Sequence, residues 1–157
     1  MEKQIKTDYL RDAIEIISKA FAGKVDKAGE PYIGHLSRVA KSFVFGQIKI
    51  IALLHDLLED CPEWSEDMLR EKFSEYIVDA IVILTKNNKE EYQVYIDRIK
   101  TNQEATIIKL ADLKDNMDLT RLPEITDIDL KRIKKYHKAY TELRIHAIEK
   151  CWIANYK

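Results

Sequence analysis

Glycine and proline are scarce in this sequence, 4 and 3 of 157 residues, and cysteine is scarcer still, with 2. So little turn punctuation excludes a disordered chain or a fold of many short strands, and it predicts an all-α protein. Cys61 and Cys151 lie far apart and form no CxxC, so they read as reduced intracellular thiols and not as a disulfide framework. No apolar run approaches the ~20 residues of a membrane span. The opening MEKQIKTDYLRD also lacks the apolar core of a secretory signal, so a cytoplasmic protein with no membrane partner is expected. Neither GxxxxGK nor GxGxxG occurs, which removes glycine-loop phosphate cradles from the candidates. An excess of one charge is missing too: 26 Lys+Arg face 27 Asp+Glu, a net of −1. That balance argues against nucleic acid as a partner, and the basic run KRIKKYHK (131–138) then reads as a solvated helix face.

What is present is helical periodicity. The length suits one domain, residues 1–157, and a chain of this size buries roughly two thirds of its surface without staples. Leu10, Ala13, Ile14, Ile17 and Phe21 share one helical face, with Thr7 or Asp8 as cap and Gly23 as stop. The polar turn GKVDKAGEPY follows. A second helix is predicted from about Gly34 to Phe45, stopping at Gly46, and a third from about Gln47 to Asp60, ended by Cys61-Pro62. Shorter helices fit about Ser65–Phe73 and Glu75–Leu84. Another is marked by Tyr92, Tyr95, Ile96 and Ile99. The β-branched TIIKL could read as strand, but the spacing onward predicts a helix from about Gln103 to Leu119. Thr126 and Asp129 form a capping-box pattern ahead of a last helix within 124–157 that carries Leu130, Ile133, Tyr140, Leu143 and Ala147. The sum is a bundle of about seven or eight helices.

One run breaks the pattern. In IALLHDLLED, residues 51–60, four ionisable groups end an apolar helix, and at i, i+4 spacing His55 precedes Glu59 as Asp56 precedes Asp60. Acidic residues at that end oppose the helix dipole, a local conflict of the kind found at functional sites. An isolated HD dipeptide more often marks a solvated helix end with a core histidine. Here, however, His35 and Asp112 are available as further ligands, with Asn116 one turn past Asp112. Two histidines with two aspartates suit Mn²⁺, Fe²⁺ or Zn²⁺. Spacing alone does not show that the four converge.

The order His35, His55-Asp56, Asp112 resembles the metal set of the HD-domain phosphohydrolases. The segments GKVDKAGEPYIGHLSRVA, ALLHDLLED, ILTK and IKLADLKDN, in that order, resemble the Rel/Spo guanosine-tetraphosphate 3′-pyrophosphohydrolase branch over about Ala20 to Leu122. The resemblance implies an all-α HD domain and a hydrolase that uses a divalent metal, typically Mn²⁺, on (p)ppGpp, a small-molecule nucleotide. It implies His35, His55, Asp56 and Asp112 as metal ligands, with Glu59 and Asp60 orienting or deprotonating the attacking water. Lys27 and Asn116 fall at nucleotide-contacting positions. Tyr136 and Tyr140 lie where related enzymes place an aromatic, and Tyr140 is taken as the substrate contact.

The chain departs from the family pattern at Asp26, Leu113 and Met117-Asp118, where basic residues are common. Each departure lowers positive potential near a polyphosphate, which keeps two alternatives open. One is a nucleotide phosphomonoesterase, and the other a low-turnover metal- and nucleotide-binding regulatory module. His137 is expected to be partly buried and His146 at the surface. Trp64 and Trp152 read as packing residues, and aromatics on the last helix would permit a homo-oligomer.

Overall fold

The computed structural model describes residues 8–44 and 46–155, and among them the regular structure is helical. In chain order the elements are α1 (Asp8–Ala20), α2 (Tyr32–Lys41), α3 (Gln47–Leu54), α4 (Leu57–Asp60), α5 (Glu66–Lys72) and α6 (Glu75–Leu84). They continue with α7 (Tyr92–Ile99), α8 (Gln103–Asn116), a 3₁₀ turn (Leu119–Arg121) and α9 (Asp127–Glu149). The only strand-like feature among the described residues is an antiparallel bridge between Val25 and Pro31, which closes the α1–α2 loop. No helix among the described residues is long and apolar enough to cross a membrane.

Helix α3 occupies the centre. Ile50, Ile51, Ala52, Leu53 and Leu54 are all buried, as expected of a helix that is apolar all round. Helices α1, α2, α6 and α8 pack around it, and α9 lies along α8. Each contributes a buried stripe: Ala13 and Ile17, Leu36 and Val39, Ile77 and Ile81, and Ile108 and Leu113. TIIKL is helix, not strand, and buried Thr106 donates its hydroxyl to the Ile99 carbonyl at 2.9 Å. The capping box forms as the sequence predicts, with Thr126 and Asp129 satisfying each other's backbone N–H groups.

Three boundaries differ from the sequence expectation. Helix α2 begins at Tyr32, directly after Pro31, and ends at Lys41, so it does not extend from Gly34 to Phe45. Gly46, expected to stop it, is instead the N-cap of α3 at φ +87°, a left-handed conformation that favours glycine. Thr7, one of the two expected caps, and Phe45 lie outside the described residues. The predicted helix Gln47–Asp60 is two elements. His55 Nδ1 lies 2.7 Å from the Ala52 carbonyl, the oxygen that would accept the Asp56 N–H in a continuous helix. Asp56 then turns at φ −98°, ψ −1°, and α4 is a single turn. Helix α8 stops at Asn116 and not Leu119, because the Asp118 side chain accepts the Thr120 N–H and starts the 3₁₀ turn.

Candidate metal centre

Two helices far apart in sequence bring polar stripes together. On α2, Tyr32, His35 and Arg38 recur every three residues and share a face, as do Lys109, Asp112 and Asp115 on α8. The break after α3 adds His55 and Asp56 from below. His35, His55 and Asp112 are buried in a core that is apolar apart from them and Thr106 among the described residues.

The four expected ligands converge. His35 Nε2 lies 3.5 Å from Asp56 Oδ2 and 3.1 Å from Asp112 Oδ1. His55 Nε2 lies 3.2 Å from Asp56 Oδ2 and 3.6 Å from Asp112 Oδ1. Neither Nε2 has an aligned hydrogen-bond partner, although both are buried. Donor atoms ~2.0–2.2 Å from a shared cation would stand about 3–3.5 Å from one another, so the spacing fits a single ion. His35, His55 and Asp56 offer ligand atoms that all lie within 4.8 Å of one another, a group that could hold a metal. Asp112 stands at its edge, its carboxylate already engaged. Oδ1 accepts from Asn116 Nδ2 at 2.7 Å, and Oδ2 faces Lys109 Nζ at 2.7 Å. That ammonium sits 5.2 Å from the centroid of the Tyr95 ring.

Without a cation the cluster is held together by protons. Burial opposes charge on His35, yet the carboxylates of Asp112, Asp115 and Asp56 outweigh it and push the ring up to about 11. Burial likewise opposes charge on His55, and Asp56 and Asp112 raise it to about 10. Asp56 is driven low by the same contacts, against its own desolvation. A histidine raised in the folded state stabilises fully below its ordinary value of 6.5 and loses that contribution as pH rises through the folded value. The melting temperature of chelator-treated protein should therefore fall between pH 7 and 11. A decline no steeper than that of a His55→Asn variant would refute the protonated cluster.

Above the cluster opens a cavity of about 540 Å³, within the range of small-molecule sites. Glu59, Asp60, Lys27 and Asn116 line it, as do His35, Asp56 and Asp112. Glu59 and Asp60 are exposed to the cavity, yet desolvation by the surrounding protein pushes both carboxyls above their ordinary values, helped by the charge of Asp56. Glu59 Oε2 accepts the Lys86 N–H at 3.0 Å. Tyr140 is not among the lining residues; Tyr136, one turn earlier on α9, is, together with Arg132. His137 is exposed and His146 part-buried, the reverse of the expectation, because His146 packs on Trp152 and lies 3.1 Å from the Lys100 carbonyl oxygen.

Sequence reasoning missed Tyr32, Arg38 and Asp115. The Tyr32 hydroxyl donates to Asp56 Oδ2 at 2.7 Å. Asp115 Oδ2 lies 2.7 Å from His35 Nδ1, and Arg38 Nε donates to Asp115 Oδ1 at 2.7 Å. The available signal was the three-residue repeat of polar side chains on α2 and α8. The departure at Asp26 also has a partner, for it accepts from Arg121 at 2.9 Å at the cavity rim.

No protein-family model matches the chain. It is 30% identical over 133 residues to the bifunctional (p)ppGpp synthase/hydrolase SpoT of Escherichia coli K12, across 74% of this chain and 18% of that protein. It is 29% identical over 117 residues to the guanosine-3′,5′-bis(diphosphate) 3′-pyrophosphohydrolase of Haemophilus influenzae, across 65% of this chain and 17% of that one. The chain thus spans less than a fifth of the length of these curated relatives. Among solved structures, a metazoan ortholog of SpoT superposes with a TM-score of 0.71 at 19% identity, covering 86% of this chain and 84% of the other. Sequence and fold point the same way: the chain is similar to part of the SpoT-type (p)ppGpp hydrolases and shares the helical fold of the metazoan SpoT ortholog.

Proposed function

We propose that this chain is a divalent-metal-dependent phosphohydrolase that removes the 3′-pyrophosphate of guanosine polyphosphates, with (p)ppGpp as substrate and Mn²⁺ as the working ion. The observation that carries the reading is the pair of buried, unpartnered imidazole nitrogens facing Asp56 and Asp112, with His35 and both carboxylates lining a nucleotide-sized cavity. The relatives support the substrate, since they are named as hydrolases of this nucleotide.

In this reading His35, His55, Asp56 and Asp112 hold the ion. When bound, it lowers the pKa of a water and offsets charge on the phosphoryl group. Glu59 or Asp60 accepts the proton of the attacking water, and their raised carboxyl values bring them closer to the working pH of a general base. Lys109 holds Asp112 in its ionised form, against burial that would otherwise protonate it. Tyr32 fixes Asp56 through its hydroxyl, leaving Asp56 oriented toward both imidazoles. Lys27 and Asn116 contact the nucleotide from the cavity wall. Tyr136 offers an aromatic face for a base or ribose, a role expected of Tyr140.

A second reading, a nucleotide phosphomonoesterase, draws on the rim. Arg121 and Arg38 are already paired with Asp26 and Asp115, which leaves fewer cations for a polyphosphate. Product analysis separates the two. Protein reconstituted with Mn²⁺ and given ppGpp is expected to release pyrophosphate, and to stop when chelator is added. Orthophosphate from a nucleoside monophosphate, with ppGpp left intact, would favour the second reading. No product from either would sink both and leave a binding module.

A further inference from the structure

We propose that Asp115 is a positioning residue of the metal centre, whose carboxylate sets the tautomer and ring plane of His35 so that Nε2 is the atom offered to the metal. The inference rests on the metal-dependent reading above and adds to it a residue outside the ligand set.

The two imidazoles are not held alike. His55 is oriented locally, with Nδ1 2.7 Å from the Ala52 carbonyl of its own helix. His35 is oriented from across the fold, with Nδ1 2.7 Å from a carboxylate 80 residues later on α8. A neutral imidazole carries one N–H and one lone pair. An ionised carboxylate only accepts, so Asp115 draws the proton to Nδ1 and leaves the lone pair on Nε2. That nitrogen is buried, lacks a hydrogen-bond partner, and faces Asp56 and Asp112. In the metal-loaded protein, where a cation would replace the ring's second proton, that lone pair would meet the ion between the two carboxylates.

Asp115 is itself immobilised. Arg38 donates Nε to Oδ1 at 2.7 Å and Nη2 to Oδ2 at 3.2 Å, a two-point grip on the carboxylate. Arg121 Nη2 approaches Oδ2 at 3.3 Å, while its Nη1 is anchored on Asp26 at 2.9 Å. The guanidiniums hold Asp115 ionised and keep it turned toward His35, away from the metal position. An ordinary surface ion pair would account for Arg38 with Asp115. It would not account for a carboxylate only 11% exposed that also binds a buried histidine. A carboxylate behind a ligating imidazole raises its basicity toward the metal, and the loss of such a partner costs about 10–100-fold in affinity. Asp26, a departure from the family pattern, then has a structural part as the far anchor of this clamp.

The test is a Zn²⁺ titration of the full chain by calorimetry with a competing chelator, comparing wild type with Asp115→Asn. Zinc affinity is expected to fall about 10–100-fold in the variant. In ¹⁵N–¹H spectra of the zinc-loaded wild type, His35 should carry its proton on Nδ1 and none on Nε2. The Nδ1 proton should shift upfield in Asp115→Asn, where the acceptor is no longer charged. An affinity within about twofold of wild type, with an unmoved His35 signal, overturns the proposal. If Asp115→Asn does not fold, the wild-type spectrum decides: zinc on Nδ1, or on neither nitrogen of His35, overturns it equally. None of these readouts needs turnover. Zinc bound through Nε2 and weakened in Asp115→Asn, without pyrophosphate release from ppGpp, would keep Asp115 in this role and remove the hydrolase reading. Full hydrolysis with unchanged zinc affinity in Asp115→Asn would do the reverse.

Discussion

An Asp56→Ala variant is expected to take up no Mn²⁺ at concentrations that saturate wild type and to lose pyrophosphate release by more than about 10³-fold. Asp56 Oδ2 is the one oxygen within 3.5 Å of both orphaned imidazole nitrogens, at 3.2 Å and 3.5 Å. The carboxylate left behind, Asp112, is already engaged by Lys109 and Asn116 and cannot carry the site alone. Removal also strips Tyr32 of its acceptor, so circular dichroism should accompany the assay. Asp56→Asn keeps an oxygen for Tyr32 and serves as the milder form of the same test. Either folded variant with wild-type metal content and turnover would end the assignment of Asp56 as a ligand.

Glu59→Gln should separate chemistry from metal binding. The expected fall is about 10²–10⁴-fold in kcat, with metal affinity unchanged, because a general base contributes on that scale and Glu59 stands outside the ligand group. The same change should stabilise the chelator-treated protein. Desolvation pushes the Glu59 carboxyl above 4.5, so ionisation costs the folded state at pH values above its folded pKa. Glutamine removes that cost and still accepts the Lys86 N–H. The melting temperature of Glu59→Gln should exceed wild type at pH 8, and the two should converge near pH 4. Full turnover in Glu59→Gln with loss in Asp60→Asn would move the base to Asp60. Full turnover in both would remove the acidic pair from the mechanism.

Much of this molecule is legible in its sequence wherever the cause is local. The capping box at Thr126 and Asp129, and α6 from Glu75 to Leu84, depend on residues within a turn or two of one another. Their sequence pattern and their structure therefore coincide. The break between α3 and α4 is also local, but its cause is a side-chain bond from His55 to the Ala52 carbonyl. Hydrophobic periodicity runs through that point without interruption and carries no sign of it. The two misjudged histidines show the same limit, since a part-buried His146 depends on the chain returning through Trp152.

Helicity, the order of the HD residues and the acidic pair after them can all be read along the chain. Residue type and spacing along one chain are enough to specify each of these. It takes the packing of helix on helix to bring the imidazoles and carboxylates together, to turn Tyr136 and not Tyr140 toward the cavity, and to stand Asp115 behind His35. Those facts depend on how α2 lies against α8, with His35 and Asp115 80 residues apart. That packing is set by the burial of both helices against α3, a property of the whole core and not of any segment within it.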